Sequence, residues 1–340
     1  MRIGIVTPAP PGSRYGNRVT ALRWARLLRE LGHRIDVRQE YRGEPFDLLI
    51  ALHAQRSYES IRGFHQKHRG RPLIVALSGT DVYLDLRRRR HIVESLGLAT
   101  RIVVLQPKAI EELKVEMHRK VRVIYQSVAA GPFETEGGNR ARAGHAAAEG
   151  GTFDVCVVGH LRPVKDPFRA ALASRLLPTS SRIRVIHVGK AMTEAMEQRA
   201  RREMKTNRRY MWFGEQPPAR AQRILGGSDL CVLSSRMEGG ANVLSEAIVA
   251  SVPILASRIP GSIGILGEEY PGYFTTGGTR ELASLMVRAE ADPAFTTELI
   301  CWCDKLIPQF KPCREKEAWA GLLDELFIAK RDIKRGSPAV

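Results

Sequence analysis

Residues 230–247 read LCVLSSRMEGGANVLSEA, and this stretch predicts a strand, a glycine turn and a helix in succession. Leu230–Leu233 is a short continuous apolar run, as is typical of a parallel strand buried on both faces. Gly239-Gly240 lets backbone N–H groups approach a ligand closely, and the helix that follows places about half a positive charge at its N-terminus. The stretch therefore predicts a βα unit with a phosphate-binding site at the carboxyl end of the strand.

Two carboxylates of this stretch, Glu238 and Glu246, are separated by seven residues. We expect Glu238 to precede the helix and Glu246 to lie in its second turn, so that they bind different parts of one extended ligand. Upstream, Arg162 and Lys165 follow the predicted strand Phe153–Val158 and should lie at the mouth of the neighbouring strand. Cations and a helix end for a diphosphate, with carboxylates for hydroxyl groups, indicate a sugar-diphosphate site.

Each of these features also has a simpler interpretation. A Glu-x7-Glu spacing alone is common on surface helices, and Arg162 with Lys165 is also compatible with a solvated helix start. The chain contains no Asp-x-Asp and no Walker-type loop. We therefore expect no metal ion at this site and no nucleotide triphosphatase.

Apolar runs alternate with helical spacing in both halves of the chain, which predicts parallel sheets with crossover helices. The predicted strands are Arg2–Thr7, Arg34–Val37, Asp47–Leu52, Pro72–Leu77, Arg101–Leu105, Val121–Tyr125, Phe153–Val158, Ile183–Val188, Leu230–Leu233 and Pro253–Ala256. The predicted helices are Asn17–Leu31, Arg56–His68, Pro107–His118, Asp166–Leu176, Met192–Met204, Pro218–Leu225, Val243–Ala250, Thr279–Ala291 and Glu315–Ala329.

Residues 134–151 interrupt this alternation with Gly, Ala and mixed charge, which is typical of a linker. We predict an α/β protein of two Rossmann-like, doubly wound domains that face each other across a cleft. The expected boundaries are 1–130 for the first domain, 131–151 for the linker, 152–312 for the second domain, 313–330 for a C-terminal helix packing back on the first domain, and 331–340 for a flexible tail.

The composition is that of an ordinary globular protein except for its charge. The 340 residues carry 53 Lys+Arg against 36 Asp+Glu, a net charge of +17, and residues 1–130 hold 24 of these cations against 12 acidic groups. Such an excess predicts an anionic partner, which could be nucleic acid, a membrane surface or a phosphorylated small molecule. Five Cys without a Cys-x-x-Cys, no secretory signal and no long apolar run predict a cytoplasmic protein that is not embedded in a membrane.

The residues around Glu238 and Glu246 resemble those of the nucleotide-sugar glycosyltransferases of GT-B fold that carry a Glu-x7-Glu signature. The resemblance implies that Glu238 binds donor-sugar hydroxyls, that Glu246 binds the ribose, and that Lys165 clamps the diphosphate with an arginine. That arginine usually stands where this chain has His160, and Arg162 is the alternative. Backbone N–H groups for the sugar and phosphate would come from Gly239, Gly240, Ala241, Asn242, Val243 and Leu244.

A narrower resemblance is to the selenosugar synthases of selenoneine biosynthesis. It rests on GNRVTA at 16–21, ALHAQRS at 51–57, SGTDVY at 78–83, VLQ at 104–106, YQS at 125–127 and GHLRPVKDP at 159–167. The resemblance implies transfer of a sugar, N-acetylglucosamine or glucose, from a UDP-sugar to the selenium of selenophosphate, without cofactor or metal. The first domain would then bind the acceptor and the second the UDP-sugar donor.

The resemblance also implies an acceptor site in the first domain. The candidates are Gly16, Asn17, Arg18, His53, Arg56, Thr80 and Asp81. His53 is nearly as well interpreted as a structural histidine, Gly16-Asn17 as a helix cap, and Asp81 as either a cap or the partner of a catalytic group. The sequence presents no obvious acid–base dyad, and an ionised selenium nucleophile would need no strong base.

Three alternatives to this function remain. One is a sister glycosyltransferase with a hydroxyl or another phosphorylated acceptor. A second is a nucleic-acid-binding module built on the basic first half, but Arg87–Arg90 lacks interleaved aromatic residues and is more typical of a solvated helix face, so we expect no nucleic-acid partner. The third is zinc binding at Cys301, Cys303 and Cys313, which the helical spacing of the first two disfavours.

Overall fold

A computed structural model describes residues 1–86, 89–129 and 151–335. The chain divides into two compact units. Unit 1 contains Met1–Ser127 and the chain from Lys311 onward, and unit 2 contains Val128–Phe310. Each unit is built around its own parallel sheet.

The sheet of unit 1 has six parallel strands in the order β2-β1-β3-β4-β5-β6. The strands are β1 Arg2–Val6, β2 Arg34–Arg38, β3 Leu48–Leu52, β4 Leu73–Ala76, β5 Arg101–Val104 and β6 Val121–Val123. The helices are α1 Gly16–Glu30, α2 Tyr58–Lys67, α3 Arg90–Leu98 and α4 Val115–His118, with a π-helical turn at Asp81–Asp85 and a 3-10 turn at Pro107–Ala109. Strands β3 and β4 are buried throughout because helices cover both faces, which explains their continuous apolar sequence.

The sheet of unit 2 also has six parallel strands, in the order β12-β11-β10-β7-β8-β9. The strands are β7 Phe153–Val158, β8 Ile183–Val188, β9 Tyr210–Trp212, β10 Leu230–Leu233, β11 Ile254–Ser257 and β12 Tyr273–Phe274. The helices are α5 Arg169–Ser174, α6 Glu194–Thr206, α7 Pro218–Gly226, α8 Asn242–Val249, α9 Pro260–Leu266, α10 Thr279–Ala291 and α11 Pro293–Asp304, with 3-10 turns at Pro163–Lys165 and Ile307–Phe310.

The C-terminal helix α12, Pro312–Arg335, belongs to unit 1. Its Trp319 is fully buried and packs edge-on against Trp24 of α1, with 4.8 Å between the ring centroids. Three leucines of α12 complete the same apolar cluster on this side of the sheet: Leu322, Leu323 and Leu326. Helix α12 therefore supplies part of the core of unit 1.

Polar contacts fix the first turn of α12. The Glu315 carboxylate is 2% exposed and accepts hydrogen bonds from Trp24 Nε1 and from the backbone N–H of Ser127, both at 2.8 Å. The Arg23 guanidinium lies 3.3 Å from the same carboxylate and compensates its buried charge.

The structure corrects several details of the sequence prediction. The expected helix Pro107–His118 is a 3-10 turn and the short α4, because Lys114 is extended with ψ 142°. Helix α5 begins at Arg169 and not at Asp166, since Asp166 takes a left-handed conformation with φ 43°. The short edge strands β9 and β12 and helices α3, α9 and α11 were not predicted.

The predicted domain ends also differ from the units found. Unit 2 begins at Val128 and ends at Phe310, whereas the expected second domain spans 152–312. Helix α12 continues to Arg335, five residues into the segment 331–340 that we expected to be a flexible tail. The predicted linker lies outside the described residues except for Gly151.

Candidate functional site

The carboxyl ends of β7 and β10 lie side by side in unit 2. The two strands pair directly, with Cys231 opposite Cys156, so the loops that follow them meet at one edge of the sheet. Ser234 Oγ donates a hydrogen bond to the Asp166 carbonyl at 2.9 Å, and the Arg236 N–H donates to the Val164 carbonyl at 2.9 Å. These bonds join the two loops and fix the backbone around Lys165.

Glu238 and Lys165 form an ion pair at this edge. The Lys165 ammonium donates to Oε1 of Glu238, and Glu238 is 8% exposed. Ser235 Oγ donates to the same oxygen at 2.6 Å. The expected placement of Lys165 at the mouth of the neighbouring strand is therefore confirmed, and the structure adds that Lys165 contacts Glu238 directly.

Helix α8 begins directly after the glycine turn. Its N-cap residue is Ala241, which offers no side-chain acceptor to the first N–H groups of the helix. The Leu244 N–H donates to the Ala241 carbonyl at 3.0 Å, so this group is occupied within the helix, contrary to our expectation that it faces a ligand. Val243 and Leu244 have buried side chains, and Glu246 is half-buried in the second turn of α8, as predicted.

The two candidates for the arginine of the diphosphate clamp differ in their surroundings. Arg162 is exposed, and its guanidinium makes no ion pair with any described residue. His160 Nδ1 accepts a hydrogen bond from the backbone N–H of Lys190 at 3.1 Å, so its ring is directed toward the loop after β8. Of the two candidates, Arg162 is therefore the one whose charged group forms no ion pair with the described residues and can contact a diphosphate.

His187 supports the same loop from within β8. Its Nε2 lies 3.1 Å from the carbonyl oxygen of Gly159, and its Nδ1 lies 3.0 Å from the hydroxyl of Tyr210. Burial lowers the pKa of His187 to about 4, so the ring is neutral at pH 7 and donates from Nε2 to the Gly159 carbonyl. His187 was not predicted to support the site, because the sequence around a histidine inside a strand does not reveal a partner that is distant in the chain.

A second polar cluster lies at the carboxyl ends of β3 and β4 in unit 1. His53 Nδ1 lies 2.7 Å from Asp81 Oδ1, and His53 Nε2 lies 3.2 Å from Thr80 Oγ1. The fully buried Asp81 carboxylate also accepts from the backbone N–H groups of Ala54, Gln55 and Ser78, at 3.0–3.2 Å. Asp81 therefore holds the backbone of both loops and lies against the His53 ring.

The sequence presents no obvious acid–base dyad, and the structure places this histidine and this aspartate side by side. His53 also has a left-handed backbone, with φ 70°, a conformation that few non-glycine residues adopt. A histidine after one strand and an aspartate after the next strand along the sheet were a usable signal, since parallel strands bring such residues to one edge. His53 is only 4% exposed, as is typical of a structural histidine.

The other acceptor candidates lie at the same edge of unit 1. Gly16 is the first residue of α1, and its N-cap is Tyr15, so neither Gly16 nor Asn17 caps the helix with a side chain. The half-buried Arg18 has a buried Nε without a hydrogen-bond partner among the described residues. Arg56 is exposed in the loop between β3 and α2.

The remaining sequence features have simple outcomes in the structure. Cys301 is exposed and Cys303 buried on α11, and no group of His, Cys, Asp and Glu among the described residues could hold a metal ion. Arg87 and Arg88 lie outside the described residues, whereas Arg90 is exposed and pairs with Glu94. Within the described ranges, no helix combines the length and apolar character that a membrane span requires.

The two six-stranded parallel sheets are also found in known structures of GT-B fold. The chain is similar to Anabaena Alr3699/HepE in complex with UDP and glucose, with a TM-score of 0.72 and 16% identity over 96% of this chain and 100% of that one. It is also similar to the sucrose-phosphate synthase of Thermosynechococcus elongatus, with a TM-score of 0.74 and 15% identity over 96% and 99% of the chains.

A third similar structure is a trehalose-phosphate synthase (UDP-forming) from Burkholderia xenovorans in complex with glucose-6-phosphate. Its TM-score is 0.64 with 11% identity, over 82% of this chain and 73% of that one. These likenesses confirm the predicted fold class. No curated protein matches the chain in sequence.

Residues 142–300 match the family model "Glycosyl transferases group 1". The match contains the Lys165–Glu238 pair and the whole of α8. Residues 142–300 are thus similar to the group 1 glycosyltransferases, and the chain as a whole has the GT-B fold.

Proposed function

We propose that this chain is a glycosyltransferase that transfers a sugar, N-acetylglucosamine or glucose, from a UDP-sugar to selenophosphate and releases UDP. The observation that carries the donor half is the Lys165–Glu238 pair beside the N-terminus of α8. Lys165 has further N–H groups for a diphosphate, Glu238 accepts from sugar hydroxyls, and the helix end attracts negative charge. The UDP complexes of the structurally similar HepE support a UDP-linked donor.

The acceptor half rests on the charge of unit 1. Arg18 and Arg56 stand at the edge where β1 and β3 end, and the buried Nε of Arg18 has no partner among the described residues. Guanidinium groups suit a small multiply charged anion that must approach an anionic donor. The resemblance of the segments around these residues to selenosugar synthases is what supports selenophosphate as the anion.

In the proposed reaction, selenium attacks the anomeric carbon while the bond from that carbon to the UDP oxygen breaks. The new carbon–selenium bond takes the electron pair of the nucleophile, and UDP leaves with the pair of the broken bond. Selenophosphate is already ionised at neutral pH, so the rate comes from positioning and from stabilising the departing UDP by Arg162, Lys165 and the N-terminus of α8.

A second candidate is transfer to a hydroxyl acceptor, including one on a phosphorylated sugar. The His53–Asp81 pair favours it, because an imidazole beside a carboxylate is a common general base for a hydroxyl group. The complex of the structurally similar trehalose-phosphate synthase with glucose-6-phosphate also favours a phosphorylated sugar.

One incubation separates the two candidates. The purified protein is mixed with UDP-N-acetylglucosamine or UDP-glucose, with and without selenophosphate, and UDP release is measured beside mass spectrometry of the product. We expect UDP release to require selenophosphate and the product to contain selenium bonded to the sugar. UDP release that requires glucose-6-phosphate instead, or that ignores selenophosphate, would reject the first candidate.

A further inference from the structure

The two oxygens of the Glu238 carboxylate have different surroundings. Oε1 accepts hydrogen bonds from the Lys165 ammonium and from the hydroxyl of Ser235, the latter at 2.6 Å. No described residue donates a hydrogen bond to Oε2. Oε1 is thus used within the protein, and Oε2 is the oxygen that can accept from a ligand.

Ser235 is itself held in place by the neighbouring strand. It follows β10, is 1% exposed, and its carbonyl oxygen accepts a hydrogen bond from Ser257 Oγ at 2.5 Å. Ser257 is the last residue of β11 and is fully buried. Strands β10 and β11 pair side by side, so this bond joins the backbone of Ser235, whose hydroxyl donates to Glu238, to the end of β11.

Helix α9 closes the other side of Glu238. A Cβ atom at Gly261 would lie 2.1 Å from the Glu238 carbonyl oxygen, so only glycine permits this approach. The backbone of Glu238 is therefore confined by α9 while its carboxylate is held by Lys165 and Ser235. Three separate elements fix one side chain.

We infer that Ser235 is a positioning residue of the donor site, which turns the Glu238 carboxylate so that Oε2 accepts a hydrogen bond from the transferred sugar. The lysine side chain alone leaves the carboxylate free to rotate, whereas a second short bond from a buried hydroxyl sets its plane. A serine with only a structural role could donate to a backbone carbonyl, as Ser174 donates to Ala171 at 2.8 Å. The inference rests on the proposed donor role of Glu238.

The test compares the affinities of UDP-N-acetylglucosamine, UDP-glucose and UDP by titration calorimetry. Ser235→Ala removes the hydroxyl, and Ser174→Ala is the matched control, because Ser174 is equally buried in the same unit and outside this cluster. Glu238→Gln gives the effect of losing the carboxylate charge itself. Thermal unfolding of every variant shows whether it is folded.

In Ser235→Ala we expect a loss of about tenfold in affinity for whichever UDP-sugar binds the wild type more tightly, because one hydrogen bond to a charged group is lost. The affinity for UDP should stay within about twofold of the wild-type value. Ser174→Ala should leave both affinities unchanged. Ser235→Thr, which keeps the hydroxyl, should restore most of the UDP-sugar affinity. The contrast between UDP-sugar and UDP distinguishes positioning of Glu238 from a general loss of structure.

Unchanged UDP-sugar affinity in Ser235→Ala, while Glu238→Gln loses it, would overturn the inference and keep the donor site. Equal losses for UDP and UDP-sugar would overturn it as well, because a structural defect weakens both. If Glu238→Gln also leaves the UDP-sugar affinity unchanged, or the wild-type protein binds neither nucleotide, the proposed donor site fails and the inference fails with it.

Discussion

His53 lies against Asp81: the imidazole Nδ1 is 2.7 Å from the carboxylate, and both side chains are buried at the end of the sheet of unit 1. The carboxylate also accepts from three backbone N–H groups, which hold the loops after β3 and β4 together. Asp81 therefore has a structural role in these two loops, whereas His53 could have a chemical role through its imidazole. Mutation of each residue separates the two roles.

The variant His53→Asn tests the chemical role of the imidazole. Asparagine tolerates the left-handed backbone found at this position, so the loop should be kept. With selenophosphate as acceptor we expect kcat to fall less than about tenfold, because the nucleophile needs no base. A fall of about 10²–10⁴ in kcat would identify the dyad as a general base and favour the hydroxyl acceptor.

The variant Asp81→Asn tests the structural role of the pair. In the wild type, both carboxylate oxygens of Asp81 accept from backbone N–H groups. In the variant, an NH₂ group replaces one of these oxygens, so at least one buried N–H group loses its acceptor. We expect unfolding free energy to fall by about 2–4 kcal/mol in urea titrations. Asp36→Asn is the control, because Asp36 forms exposed ion pairs with Arg2 and Arg38 and should change stability by under about 1 kcal/mol. Equal effects would contradict the assignment.

Lys165 and Arg162 should differ when each is replaced by alanine. Lys165→Ala removes the partner of Glu238 as well as a charge for the diphosphate, and we expect kcat/KM to fall about 10²–10³. Arg162→Ala removes an exposed side chain, for which we expect about a tenfold loss. Steady-state kinetics with a UDP-sugar measures both. A larger loss of kcat/KM in Arg162→Ala than in Lys165→Ala would contradict this prediction. An unchanged kcat/KM in Arg162→Ala would make His160 the better candidate for the diphosphate clamp.

His187 should make stability depend on pH. Its pKa is lowered by burial to about 4 in the folded protein, against about 6.5 when unfolded, so the neutral ring favours the folded state above pH 6.5 and this contribution is lost as the pH falls toward 4. Between pH 7.5 and 5, the free energy of unfolding of the wild type should fall by about 2 kcal/mol more than that of His187→Asn. This figure follows from about 1.4 kcal/mol for each unit by which the two pKa values differ. Parallel losses in urea titrations at the two pH values would contradict this assignment.

The parts of the fold that the sequence predicts are those whose signal is local. Parallel strands buried on both faces, such as β3 and β10, are continuous apolar runs and can be identified directly. Strand β12 has two residues and β9 three, so neither gives a pattern, and both form because a neighbouring strand pairs with them. These edge strands depend on contacts that are distant in sequence.

The candidate site divides in the same way. Glu238 and Lys165 could be predicted because they follow adjacent strands, and the ends of parallel strands meet. Ser235, Gly261 and His187 could not, since each is defined by a contact that no residue pattern reveals: the first two with Glu238 and the third with the Gly159 carbonyl. The dyad of His53 and Asp81 lies between these cases, because both residues follow strands but only the structure shows that they touch.

Helix α12 has a consequence for how the protein is made. The core of unit 1 includes Trp319 and Leu326, whereas the rest of that unit is encoded before residue 128. The ribosome therefore synthesises all of unit 2 before it synthesises α12. Until then, unit 1 lacks the part of its core that packs against Trp24, and this apolar surface stays exposed. Premature termination anywhere in unit 2 would release a polypeptide that needs a chaperone or is degraded.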